Sequence, residues 1–100
     1  NNLIVTGIEN PTTVDSFDSD IWTSVDYRIQ LKKDSNTYTS SISLLYSDEL
    51  INTSEYNVIS DFVGIPANLD FVKSGSIINL VVTPIEQPLE VRFYRTALKK

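Results

Sequence analysis

Apolar residues recur at every second position through most of this chain, the period of a β-strand with one face buried. In SVDYRIQLKK, Val25, Tyr27, Ile29 and Leu31 share one face while Asp26, Arg28, Gln30 and Lys32 share the other. That stretch predicts a strand with an inside and an outside. KDSN, from Lys33 to Asn36, predicts a turn in which Asp34 bonds backbone amides and Asn36 takes a positive φ. TYTSSISLLYSD then places Tyr38, Ile42, Leu44 and Tyr46 in phase, so residues 24 to 47 predict a hairpin. After a second turn at SDELIN, TSEYNVIS sets Tyr56 and Val58 on one face and predicts a third strand of the same meander.

Further along, Gly64 and Pro66 mark a loop, and a short strand is expected around Leu69 to Val72. A tight turn ends at Gly75, and the run from Ile77 to Thr83 is apolar on both faces, which predicts a strand in the middle of its sheet. TPIEQP turns the chain, and in LEVRFYRTAL the residues Leu89, Val91 and Phe93 alternate with Glu90, Arg92 and Tyr94. At the start, LIVTGIE and TTVDSF predict one or two short strands. No window of a dozen residues shows a helical period, and β-branched and aromatic residues dominate. Seven or eight short strands, spaced about ten residues apart, predict an all-β fold. The expected architecture is an antiparallel β-sandwich, Ig-like or jelly-roll-like, or a small barrel, formed by one domain over residues 1–100.

Composition narrows the chemistry. The 100 residues include no Cys and no His, which removes thiolate nucleophiles, imidazole acid–base catalysis, disulfides and the usual zinc sites. A net charge of −5 repels phosphate backbones, so no nucleic acid partner is expected. No apolar run approaches the ~20 residues of a membrane span, so no membrane partner is expected either. The chain holds no Met, and it reads as a segment of a longer polypeptide.

The densest cluster of candidate chemistry is VDSFDSDIW, with Asp15, Asp18 and Asp20 followed by the only tryptophan, Trp22. A helix-loop-helix calcium site spaces its carboxylates D-x-[DN]-x-[DN]-G, with a glutamate further on. Here the spacing is three and then two, with no glycine for the bend. The three aspartates are therefore weak metal candidates, and the favoured reading is a turn whose acidic side chains bond backbone amides. No G-x-S-x-G elbow, S-x-x-K pair or glycine-rich phosphate loop occurs. Neither an enzyme nor a bound cofactor is expected. Among the aromatics, Tyr38, Tyr46 and Tyr56 run in phase with core aliphatics and are expected to be half-buried. Trp22 and Tyr94 remain as candidate contacts to a protein partner or to a sugar ring.

The order TTVDSF, SVDYRIQLKK, YTSSISLLYSD, TSEYNVIS, NLVVTP and VRFYRTAL resembles a β-rich module of about ninety residues in virion structural proteins of tailed bacteriophages, marine and cyanobacterial phages above all. The pattern there runs from T-x-[VI]-D-S-F through Y-x-[VI]-Q, an H-D-G turn, T-E-Y and [VL]-x-L-L-x-T-P to [KR]-x-x-R-T-A-[IL]. The resemblance spans residues 12 to 98. It departs at Tyr46 to Leu50, where YSDEL replaces the glycine-bearing turn and another loop geometry is expected. Asp15 and Phe17 match the pattern, whereas Asp18 and Asp20 stand where the family carries mixed small polar residues. The resemblance implies a location in the virion, in a tail fibre, another tail appendage or a head-surface protein such as a capsid decoration. It also implies other virion proteins as partners, a homo-oligomer, and function carried by subunit contacts. The competing expectation is a carbohydrate-binding module that recognises a host surface glycan.

Overall fold

A computed structural model describes residues 3–100 as eight strands and no helix. They are β1 (Leu3–Ile8), β2 (Thr12–Asp18), β3 (Trp22–Lys33), β4 (Asn36–Ser47), β5 (Leu50–Ser60), β6 (Ala67–Ser74), β7 (Ile77–Pro84) and β8 (Leu89–Lys99). Every pairing is antiparallel. One sheet has five strands in the order β1-β8-β3-β4-β5, and the other has three in the order β2-β7-β6. The two form a β-sandwich.

The alternation read from the sequence decides what lies between the sheets. Val25, Tyr27, Ile29 and Leu31 of β3 are buried, as are Tyr38, Ile42 and Leu44 of β4 and Leu89, Val91 and Phe93 of β8. They face Phe17 of β2 and Ile78, Leu80 and Val82 of β7 across the interior, in one cluster. Strand β7 is central to its sheet, as its double apolar character predicts, yet only one of its faces is fully buried: Ile77 lies exposed on the other. The Tyr27 ring sits where the layers meet, 5.6 Å from Phe71 of β6 and 6.0 Å from Phe93 of β8 between ring centroids. Both distances fall in the range of tilted aromatic pairs, which add to the area they bury.

The third strand of the meander departs from expectation. Tyr56 and Val58 are exposed, so Tyr56 is not half-buried. Two causes combine. Tyr56 pairs with Ser41 on the outward face of β4, and a bulge beyond it, with Asn57 at φ 56, shifts Val58 and Ile59 out of the earlier alternation. In addition, β5 ends a five-stranded sheet that faces only three strands, so it lies beyond the cover of the second layer.

Two hairpin turns also differ in detail. At Lys33 to Asn36 the positive φ belongs to Asp34, at 54°, and not to Asn36. Ser47 pairs with Leu50, leaving Asp48 and Glu49 as a two-residue loop with φ of 52° and 62°. Positive φ at both central positions is the hairpin geometry that Asn-Gly adopts with least strain. Glu49 reaches it with a side chain that the left-handed region disfavours. Replacing Asp48 and Glu49 by Asn and Gly is expected to stabilise the fold by about 1 kcal/mol. A urea midpoint that stays the same or falls would show that this turn carries no strain.

Candidate functional site

The acidic stretch crosses from one sheet to the other, and its three aspartates take three separate positions. Thr13 pairs with Val81 and Asp15 with Leu80, so a bulge at Val14 turns Asp15 to the same inward face as Leu80 and Phe17. There Asp15 Oδ2 accepts a hydrogen bond from the Tyr27 hydroxyl at 2.7 Å and another from Arg95 Nη1 at 2.7 Å. Arg95 Nη1 also donates to the Ser16 carbonyl at 3.0 Å. One carboxylate on β2 therefore holds β3 and β8 of the opposite sheet. Asp18 instead accepts the Asp20 amide on Oδ1 at 2.9 Å, and its carbonyl accepts the Ile21 amide at 3.1 Å. This is the amide-bonding turn expected of such residues. Asp20 is exposed. Among the described residues, no three carboxylates gather into a group able to hold a metal ion.

Ser19 anchors the same turn. It is buried, and both its amide and its hydroxyl donate to the Ser76 carbonyl, at 2.8 and 2.7 Å, tying the turn to the β6–β7 hairpin. Trp22 follows as the first residue of β3. Its ring is partly buried against the core, and Lys99 Nζ of β8 lies 5.8 Å from the ring centroid. An ammonium at that distance from an indole is a cation–π contact.

Tyr94 is exposed on the outer face of the five-stranded sheet. Its strand neighbour across the sheet is Arg28, and Arg92 lies opposite Gln30 one step along. Together with Thr39 they line a shallow depression of about 240 Å³. Arg28 donates to Ser41 Oγ at 3.0 Å and Arg92 Nε to Glu90 at 3.0 Å, so both guanidinium groups are already held in place.

A second polar cluster escaped sequence reasoning. Glu55 of β5 pairs with Ile42 and so turns inward, where its Oε2 accepts the Tyr38 hydroxyl at 2.8 Å and the Ser40 hydroxyl at 2.7 Å. Glu55 and Tyr38 line a groove of about 280 Å³ between the open edges β5 and β6, together with Thr53, Ile65, Asn68 and Phe71. Burial, followed by the Glu55 hydrogen bond and charge, pushes the Tyr38 phenol up from about 10 to about 12. Burial also raises Tyr27 well above its ordinary value, reinforced by Asp15 and partly offset by Arg95. Arg95 is raised as well: burial lowers it, but the Asp15 charge and hydrogen bonds to Tyr27 and Asp15 prevail. Arg95 left one trace in the sequence, a charge in phase with Val91, Phe93 and Ala97.

No family model matches the chain, and none of the curated proteins matches it. Among solved structures it is similar to the tailspike protein of Acinetobacter baumannii phage AM24. The likeness has a TM-score of 0.51 at 9% identity and covers 99% of this chain but 26% of the tailspike. At that identity the likeness is one of fold, and the chain spans about a quarter of the tailspike's length.

Both raised tyrosines keep their protons in the folded state, so they favour folding fully below their unfolded value near 10. That contribution is lost as pH rises through the folded value, and for Tyr38 the window runs from about 10 to about 12. Urea midpoints are expected to be level from pH 7 to 9 and to fall beyond 10, less steeply in Tyr38→Phe than in the parent. Parallel curves for the two proteins would contradict this.

Proposed function

We propose that the chain is a non-enzymatic structural module of a tailed-phage virion, assembling through contacts between its own copies and with other virion proteins in a tail fibre, appendage or capsid decoration. The observation that carries this reading is the fold shared with a phage tailspike over nearly the whole chain. The motif order from TTVDSF to VRFYRTAL, with its resemblance to tailed-phage virion modules, supports it independently. So does the chemistry: the chain has neither His nor Cys, and Asp15, Asp18 and Glu55 are engaged in bonds that hold strands and turns. Residues that perform packing and bonding roles suit a part whose work is mechanical.

One observation favours a second reading, recognition of a host surface glycan. Tyr94 presents an exposed ring beside a depression with Gln30, Thr39, Arg28 and Arg92 at its walls, and sugars stack on such rings while bonding polar neighbours. Trp22 is less exposed than Tyr94, packed in part against the core with Lys99 near its ring.

The virion reading predicts that antibodies against the chain label intact particles of the source phage at a fixed position. Mass spectrometry of purified particles that finds no peptide of the chain would overturn it. Glycan-array binding that is lost in Tyr94→Ala, with the urea midpoint unchanged, would put the second reading first.

A further inference from the structure

Sheet edges offer unpaired backbone groups to any extended chain, and proteins usually guard them with charge, proline, bulges or short length. Three of the four edges here are guarded. Strand β1 has only six residues and an irregularity between Val5 and Ile8. Strand β2 has seven residues with a bulge at Val14 in their midst, and the eight residues of β6 carry Asp70 and Lys73. Strand β5 is different. Its eleven residues hold one charge, Glu55, and that carboxylate is turned to Tyr38 and Ser40 of its own sheet. Its bulge falls beyond Tyr56, so Leu50 to Tyr56 forms an unbroken, regular run along an open edge.

Resting on the reading of assembly through subunit contacts, we propose that this edge pairs with the same edge of a second copy, antiparallel about a two-fold axis through Thr53. The sequence of the run is complementary to itself in that register. Leu50 lies opposite the partner copy's Tyr56 position, Asn52 opposite Ser54, and Thr53 opposite Thr53. Leu50 and Tyr56 are 63% and 44% exposed, so each half of the pairing covers an apolar pair now open to water. The charges also allow it. Glu55 stands opposite Ile51, which leaves the two carboxylates four residues apart along the strands, or roughly 13 Å, beyond the screening length at physiological salt. A two-fold axis uses one surface twice and closes, which accounts for an edge left regular over seven residues in a chain of net charge −5. Seven paired residues make a small interface, so the isolated dimer is weak, with a dissociation constant on the order of 100 µM.

The chain contains no cysteine, so a single introduced thiol reports the axis directly. In a glutathione redox buffer, Thr53→Cys is expected to form mainly disulfide-linked dimer, while Val72→Cys, exposed on the β6 edge, remains mainly monomer. Adding Asn52→Lys and Ser54→Lys to the Thr53→Cys chain sets lysines opposite lysines and is expected to cut dimer yield about tenfold. These positions are exposed in the monomer, so an unchanged urea midpoint shows that the fold survives. Equal yields from Thr53→Cys and Val72→Cys would overturn the proposed axis. Sedimentation of the cysteine-free lysine variant separates the two readings. A dimer that persists with both lysines overturns this edge and leaves assembly through other contacts standing. A parent chain that stays monomeric to about 1 mM overturns the edge pairing, and the particle-labelling result then decides the wider reading alone.

Discussion

The Asp15 carboxylate, held between Tyr27 and Arg95, is the contact on which the arrangement of the two sheets depends. A sandwich without cysteine has only packing and polar bonds to fix one layer against the other, and packing alone tolerates sliding. Here one charged oxygen on β2 receives hydrogen bonds from β3, the central strand of the opposite sheet, and from β8 beside it. The Tyr27 ring below that bond packs toward both Phe71 and Phe93, so the same residue supplies apolar contact and polar registry. The Asp15 side chain is only 10% exposed, and a carboxylate withdrawn from water this far is stable only while its donors remain. Sheet placement and charge satisfaction are one condition.

From that fixed interior the surface divides. The outer face of the five-stranded sheet mixes paired polar side chains with exposed apolar ones, Ile4, Leu45 and Leu98, and exposes the rings of Tyr94 and Tyr56. The edge at β5 is regular from Leu50 to Tyr56, and its one charge, Glu55, is bonded within the sheet. An apolar core, an open edge at β5 and exposed aromatic rings are the features on which the proposed assembly rests. Each property arises from a different stretch of sequence: alternation builds the core, the width of the larger sheet frees β5, and the phase of β8 sets Tyr94 outward.

Much of this was legible in the residues themselves. Period-two alternation locates β3, β4, β7 and β8 and names their buried faces, because each is covered by the opposite layer. It fails at β5, where alternation without a covering layer carries no information about burial, and where the Asn57 bulge changes the phase. Tyr56 was misplaced because strand pairing sets it opposite Ser41 on the outward face and turns its neighbour Glu55 inward. The acidic stretch was legible as a turn, since Asp18 bonds an amide two residues ahead and local bonds follow from local sequence. The role of Asp15 was not, because Arg95 lies eighty positions away and only the sheet order brings the two together. Glu55 escaped for the same reason: its partners, Tyr38 and Ser40, are set by strand pairing. Trp22 could be placed only once β8 was known to pass beside it, carrying Lys99.

The central claim is that the Asp15–Arg95 contact joins the sheets as a coupled pair. A double-mutant cycle with Asp15→Ala, Arg95→Ala and the combination, followed by urea denaturation at pH 7, measures that coupling without assigning the rest of the fold. The account predicts a coupling energy of about 1.5–3 kcal/mol, the range of charge-assisted bonds that are largely withdrawn from water. A value below about 0.5 kcal/mol, typical of exposed surface pairs, would contradict it.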